Sequence, residues 1–464
     1  MIRRVLVCAL FLFFLQSCLT YYEKNIIFHQ EFASGDYVKA NVTLDNNKYI
    51  QKSRNQLLYY LDKGVTLQMM GKFEESNKFF EDAYIYIEDF KRNYGMEALA
   101  FVTNDMMRNY GGEDFEQVFI HYYKANNYIM MDLIDEALVE IRRINIKLNE
   151  ISDKYKSEKK YKRDAFAHVM MGLMYEASGD ENNAFIAYRN AYDIYESDFT
   201  TFFKLNAPLQ LKKDLVRTAY LNGFYEEAER YEKKFNIQYV RDSNNYPELI
   251  FIWHNGLGPI KDEWSINFII IRGSGGYVSF VNKELGLTFG FYTHSQDEYN
   301  SLGNLKVIRV AFPKYSVRKG TLTGAAIAVD NQEYPVELLE DFNKIAKKSL
   351  HDRMTREMSK TLLRVALKQA AEYAARQENE GLGAALSVLN AATEKADTRN
   401  WQTLPAQVFY TRVPLASDTN IVNHYSFKGA HKKLEESITV VPKKKIQFLY
   451  RQTVPKESIL KDKF

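Results

Sequence analysis

No proline occurs before Pro208, and all nine prolines of the chain lie at or beyond it. A proline inside a helix removes one backbone hydrogen bond and clashes with the preceding turn, so a long proline-free stretch is open to continuous helix. This stretch is also rich in Tyr, Met, Leu, Lys and Glu, with apolar residues at helical spacing. The first half of the chain is therefore expected to be helical.

Within that half one pattern repeats. Tyr60, Gly64, Leu67, Gly71, Phe73, Ser76, Phe80 and Ala83 carry the spacing of a tetratricopeptide (TPR) helix pair. His121, Ala125, Tyr128, Ile134, Ala137, Ile141 and Ile144 form a degenerate copy, and His168, Gly172, Tyr175, Gly179, Ala184, Tyr188 and Ala191 a clean one. A last copy holds Ala219, Gly223, Tyr225, Ala228 and Phe235. Small residues where two helices cross let the backbones approach, large ones fill the groove one turn away, and a glycine between the helices supplies a left-handed turn. One hairpin cannot bury its apolar stripe alone, so neighbours must stack. Tyr60 and His121 are 61 apart, His121 and His168 are 47 apart, and Gly179 and Gly223 are 44 apart. A tandem array has about 34, so longer helices or inserts are expected rather than a regular superhelix, with an irregular helical bundle as the alternative.

After Pro247 the period changes. Glu248 to His254, Ser265 to Arg272, Tyr277 to Val281, Leu285 to Tyr292, Leu305 to Phe312 and Thr321 to Val329 are short apolar or alternating runs between Gly, Asn, Asp and Pro, and read as strands. Past Pro335, residues Leu339, Phe342, Ile345, Leu350, Met354, Met358, Leu362, Val365, Gln369 and Tyr373 lie on one helix face. Gly381 and Gly383 interrupt it, and Leu386, Leu389 and Ala392 resume it. Ala406 to Val413, Ile421 to Phe427, Ile438 to Val441 and Ile446 to Thr453 read as further strands. The fold class is thus α+β, an N-terminal TPR-like helical solenoid followed by an α+β domain with a long helical insertion between strands. The divisions expected are a signal peptide over 1–17, a tether and first helix over 18–50, the repeats over 51–240, a β-rich part over 246–335, a helical hairpin over 336–400, C-terminal strands over 401–454 and a tail over 455–464.

The N-terminus reads as an address. Arg3 and Arg4 precede an apolar run from Val5 to Leu15, too short for the ~20 residues of a membrane span. Leu15-Gln16-Ser17-Cys18 resembles a bacterial lipobox, with Gln16 in place of the usual small residue. Cys18 is the expected lipid attachment site, and ordinary secretion is the alternative. Leu19 rather than Asp follows the cysteine, which favours the outer membrane facing the periplasm. Cys8 and Cys18 are the two cysteines of the chain, so a disulfide framework, a zinc ribbon and a cysteine nucleophile are excluded from the body.

Little else points to chemistry. Lys plus Arg is 62 against Asp plus Glu at 59, a net charge of +3 that offers nucleic acid no general attraction. The eight histidines lack metal-ligand spacing, and no metal or cofactor is expected; His121 and His168 sit at large-residue positions of their repeats. Asn255-Gly256-Leu257-Gly258-Pro259, Gly273-Ser274-Gly275-Gly276 and the Gly381/Gly383 pair lack the context of a phosphate-binding loop and read as turns or a helix break. Basic runs at Lys156–Arg163 and Lys443–Lys445 read as solvated faces. Asp397, Arg399 and Trp401 read as a helix-end ion pair with an aromatic plug on the following strand, with a catalytic pair as the alternative. In a TPR groove a partner meets the inward side chains of the first helices, which by register include Gln68, Tyr122, Asn126, Glu176, Arg217 and Tyr220. They suit an extended peptide or a partner helix.

With the lipobox, the helix pairs, His254-Asn255-Gly256 after a strand and the run from Ala396 through Asp397-Thr398-Arg399-Asn400-Trp401 to Leu404-Pro405, the chain resembles a family of bacterial TPR-bearing envelope lipoproteins, from the lipobox to about Phe427. Members of that family are companions of curli-pore-like and penicillin-binding-protein-activator-like lipoproteins. The resemblance implies a non-enzymatic scaffold that binds an envelope protein or peptide and is held to the membrane by its acyl anchor. Two other classes stay open: an enzyme acting on an envelope polymer such as peptidoglycan, with Asp397 or Glu394 as acid or base, and a structural subunit of a secretion apparatus. The oligomeric state is open.

Overall fold

The computed structural model describes residues 19–93, 106, 108–154, 163–240, 246–293, 296–303, 307–330, 332–383, 395–416 and 418–461. Cys18 and Glu394 lie outside them, as do 384–394, where the second half of the helical hairpin was expected. Among the described residues no helix is long and apolar enough to cross a membrane.

Three short helices open the fold: α1 (Tyr21–Lys24), α2 (Ile26–Ala33) and α3 (Tyr37–Asn46). They are packed down rather than strung out as a tether, because Tyr21, Phe28, Phe32, Ala40 and Leu44 are apolar on one side and fully buried in the main core. Four helix pairs follow: α4 (Gln56–Met69) with α5 (Phe73–Asn93), α6 (Asp114–Met130) with α7 (Ile134–Lys154), α8 (Ala165–Ala177) with α9 (Glu181–Ile194), and α11 (Leu209–Leu221) with α12 (Tyr225–Phe235). Between the third and fourth pairs, a π-helical turn over Tyr195–Phe199 leads into α10 (Thr200–Phe203). These pairs are the four copies of the sequence pattern, and the helical half is TPR-like.

All four first helices end in one way. Gly71, Asp132, Gly179 and Gly223 adopt positive φ. Each donates its N–H three residues back, to Gln68, Ile129, Glu176 and Tyr220. The next residues, Lys72, Leu133, Asp180 and Phe224, donate to the carbonyls of Leu67, Tyr128, Tyr175 and Ala219. This is the Schellman arrangement, which satisfies carbonyls the helix would otherwise leave open. The helix crossings need small residues: a Cβ on Gly64 would lie 2.8 Å from the Phe80 ring, and one on Gly172 would overlap Tyr188.

The second half holds two sheets. The larger has the order β10-β9-β6-β7-β8-β1-β11, from β1 (Glu248–Asn255), β6 (Gly324–Val329), β7 (Gln332–Asp341), β8 (Gln407–Pro414), β9 (Asn420–Lys428), β10 (His431–Val440) and β11 (Ile446–Thr453). Its β1/β11 pair is parallel, with Glu248 opposite Ile446, and its other pairs are antiparallel. The smaller is the antiparallel β4-β3-β2-β5, from β2 (Ile260–Arg272), β3 (Tyr277–Asn282), β4 (Leu287–Tyr292) and β5 (Val307–Ser316). Helix α13 (Gln296–Gly303) joins β4 to β5, and α14 (Phe342–Glu378) joins β7 to β8. The 37 residues of α14 extend about 55 Å. Its start, with Phe342, Ile345 and Leu350, lies in the main core. Farther along, Met358, Leu362 and Val365 lie beneath the smaller sheet.

The structure departs from the sequence reading at this helix. The segment after Pro335 is strand as far as Asp341, which then caps α14 by accepting a hydrogen bond from the Lys344 N–H at 3.1 Å. Leu339 belongs to that strand. A register shift between Leu338 and Glu340 breaks the two-residue alternation that would have marked it.

Candidate functional site

Strand β1 alternates, so its two faces serve different cores. Leu249, Phe251 and Trp253 pack within the curled larger sheet, while Ile250 and Ile252 face the helices. His254 continues the helix-facing side. It is fully buried, with its Nε2 2.7 Å from the Tyr122 hydroxyl and its Nδ1 2.6 Å from the Tyr450 hydroxyl. Burial lowers the imidazole to a pKa of about 3, so the ring is neutral and one nitrogen donates while the other accepts.

A charged cluster lies alongside. Arg412 on β8 pairs with Glu176 of α8 at 2.5 Å, Asp214 of α11 at 2.9 Å and Glu248 of β1 at 2.5 Å. Glu176 also accepts from both terminal nitrogens of Arg217, and from the Tyr188 hydroxyl at 2.6 Å. Burial opposes ionisation of Glu176, but Arg217 and Arg412 outweigh it and hold the carboxyl at about 2. For Asp214 burial wins, and its pKa is raised. Nearby, Glu337 of β7 caps α11 by accepting from the N–H groups of Leu209 and Gln210 at 2.8 and 2.6 Å.

The run from Asp397 to Thr403 closes the other end of the seam. Arg399 pairs with Asp397 at 2.7 Å and donates to the carbonyls of Arg54 and Arg108, both at 2.8 Å. Trp401 packs against Phe80 and Tyr123 of the solenoid, so the plug fills the helical half rather than the following strand. The Trp401 backbone N–H donates to Glu116 at 2.6 Å, and the Thr403 hydroxyl donates to Asp62 at 2.8 Å. Burial raises both carboxyls to about 7, helped at Glu116 by the charge of Glu113. Glu113 itself pairs with Lys261 and Arg353; burial opposes its ionisation, but Arg353 and Lys261 prevail and hold it near 2.

The chain's own second half therefore covers part of the groove expected from the repeats. Tyr122 and Glu176 are buried against β1, β8 and β11. Gln68 is buried in a network inside the solenoid, donating to Asn127 at 2.8 Å, which in turn donates to Ser76 and Asn77. Asn126 is buried, Arg217 is committed to Glu176 and Asp214, and Tyr220 stacks on Tyr239 while donating to Glu232 at 2.9 Å. Each of the six side chains is buried or partnered within the chain, so no open partner groove forms at these residues and that expectation is corrected. Repeat register says where a side chain points, and not what lies over it.

Of the basic runs, Lys444 pairs with Asp132 at 2.5 Å and Lys445 with Glu181 at 3.6 Å, tying the second half to the solenoid. Arg163 pairs with Asp198, and 155–162 lie outside the described residues. His121 pairs with Glu140 at 2.8 Å in the core, and His168 is mostly buried. Among the described residues no group of His, Cys, Asp or Glu is placed to hold a metal ion.

An exposed apolar surface lies on the smaller sheet. Its inner residues Ile266, Phe268, Val278, Phe280 and Val310 pack on α14. The outer face carries Val307, Ile269 and Val281 in one cross-strand row, with Ile271 and the Tyr277–Tyr292 pair beyond. Ile269 is 46% exposed, Ile271 47%, Val307 55% and Tyr292 68%. A groove of about 540 Å³ beside this row is lined by Trp264, Asn267, Ile269, Val281, Leu285 and Val307. Among the described residues, β4 pairs with β3 alone and forms one edge of the sheet. This surface escaped the sequence reading, although both faces of β2 carry isoleucine, a signal that neither face is purely solvent-facing.

No protein-family model matches the chain, and no curated protein matches it. Among solved structures, a crystal structure of MamA is similar over 45% of this chain and 92% of its own, at 17% identity and a TM-score of 0.29. A TPR-like repeat protein described as a Podosopora anserina putative kinesin light chain is similar over 46% of this chain and 92% of its own, at 14% identity and a TM-score of 0.30. The repeat architecture rests on the four capped helix pairs themselves.

Proposed function

We propose that this chain is a non-enzymatic scaffold of the bacterial cell envelope, anchored through an acyl group on Cys18 at the periplasmic face of the outer membrane, that binds an envelope protein through its smaller sheet. The observation that carries the reading is the outer face of that sheet. Soluble monomers rarely expose a contiguous apolar patch, and such patches mark interaction sites. The open edge of β4 suits an extended peptide, which would gain main-chain hydrogen bonds from β4 and side-chain contacts from Tyr292. The scaffold reading also accounts for the polar seam: its ionisable groups are partnered within the fold, and they hold the two halves in one relation.

The test is a photo-reactive side chain in place of Tyr292, with a second variant carrying it in place of Tyr122. The reading expects an adduct with a protein other than the chain itself, identified by mass analysis, from the first site and none from the second. Adducts from position 122, or none from 292, contradict it. Mass analysis of the mature N-terminus tests the anchor separately, with an acylated Cys18 as the expected result.

A further inference from the structure

Among the described residues four strands end a sheet: β10 and β11 in the larger, β4 and β5 in the smaller. The unpaired N–H and C=O groups of an edge are a template for another strand, and proteins guard such edges with charge, proline or a bulge. Three of these edges are guarded. β10 carries Lys432, Lys433, Glu435 and Glu436 and a register shift, and its Glu436 pairs with Arg451 of β11 at 2.5 Å, tying the two ends of the larger sheet to each other. β5 carries Arg309, Pro313 and Lys314. β4, from Leu287 to Tyr292, has no charge, no proline and no register shift.

The direction of its main-chain groups follows from one bond. The Thr293 N–H donates to the Gly276 carbonyl at 2.9 Å, in the register that sets Tyr292 opposite Tyr277. Hydrogen-bonded pairs alternate along an antiparallel ladder, so Leu287, Phe289 and Phe291 turn their main-chain groups to β3, and Thr288, Gly290 and Tyr292 turn theirs to the open side. The side chains divide in the same way. Leu287, Phe289 and Phe291 pack on the cluster beneath the sheet, with the Phe289 ring 6.1 Å from Phe268 and the Phe291 ring 5.1 Å from Phe280, yet all three are only partly buried. Thr288, Gly290 and Tyr292 are exposed. The inner layer thus runs out at β4 with its apolar side chains half covered.

We infer that the β4 edge takes an uncharged strand of a partner protein, with bulky aliphatic residues at alternate positions, paired antiparallel as every neighbour in this sheet is. The inference rests on the binding role proposed for the smaller sheet and adds the chemistry of what it binds. Residues of the incoming strand opposite Thr288, Gly290 and Tyr292 exchange main-chain hydrogen bonds with them, and those opposite Phe289 and Phe291 extend the inner layer. A charge at these inner positions would be buried without a partner, so the edge selects against it.

The probe is an end-capped seven-residue peptide with valine at its second, fourth and sixth positions and threonine at the others, titrated calorimetrically into the full-length chain. T288P removes an N–H that faces the open side and none that bonds to β3. The peptide is expected to bind T288P about tenfold more weakly than T288A, and to bind the parent about tenfold more weakly with its threonines N-methylated than with its valines N-methylated. Equal melting temperatures of T288P and T288A show that the fold is kept; where they differ, the methylated pair carries the test. No binding of the unmethylated peptide, or equal affinity of the two methylated ones, overturns the inference. Binding that survives T288P but is lost in I269S belongs to the outer face, so the proposed function stands and the edge inference falls. If the photo-reactive side chain in place of Tyr292 gives no adduct while the peptide binds at the edge as described, the envelope partner falls and the inference stands.

Discussion

His254 is a neutral imidazole held between two phenols, and its burial has a direct pH consequence. In the unfolded chain a histidine takes up a proton below about 6.5, whereas the folded His254 resists it down to about 3 and His168 down to about 4. Their contribution to stability is therefore complete above about pH 6.5 and lost as pH falls toward those values. Asp62 and Glu116 work in the opposite sense. Their folded pKa values of about 7 lie above the unfolded ones, so their contribution is complete below about pH 4 and lost as pH rises through 7. Urea unfolding of D62N is expected to show a gain over the parent that is largest at pH 8, smaller at pH 5 and gone below about pH 4; a pH-independent difference would contradict this assignment. At Arg412, truncation leaves Glu176 and Asp214 short of a buried counter-charge, so R412M should cost about 3–5 kcal/mol in the same measurement. None of these pairings was legible beforehand, because Glu176 and Arg412 are 236 positions apart and each on its own reads as an ordinary polar side chain.

At the scale of elements, two glycines of one repeat are expected to behave differently. Gly179 has positive φ and open space around it, so G179A pays only backbone strain, about 1 kcal/mol. Gly172 lies inside α8, where alanine is the better helix former, yet its Cβ would strike Tyr188. G172A should therefore destabilise by about 1–3 kcal/mol despite improved propensity, as overpacking does. Thermal melts of the two variants check both, and a stabilised G172A would mean that the crossing is looser than the structure has it. These positions were legible in the sequence because a close helix crossing and a left-handed turn each demand a small residue. The turn after α6 was harder to see, since Asp132 fills the left-handed position. Most strands were equally plain from alternation. β7 was not, because its register shift disrupts the period, and the start of β10 was not, because His431, Lys432 and Lys433 are exposed and polar.

For the whole molecule, the boundary between a helical and a β-rich half was visible in the distribution of proline and in the change of period. Their union was not. Polar and aromatic side chains along a concave helical face suit a foreign peptide and an internal seam equally well, and the choice between them depends on long-range packing that local pattern does not carry. The seam built by His254, Arg412 and Trp401 makes the solenoid and the larger sheet share one core, while Ile269, Ile271 and Tyr292 of the smaller sheet stay exposed. Hydroxyl-radical footprinting of the native chain tests this arrangement most directly, by comparing oxidation at Tyr122 and Trp401 with oxidation at Tyr225, which is 62% exposed. The account predicts that Tyr122 and Trp401 remain protected while Tyr225 is oxidised readily; oxidation of all three at similar rates would show that the concave face is open and contradict it.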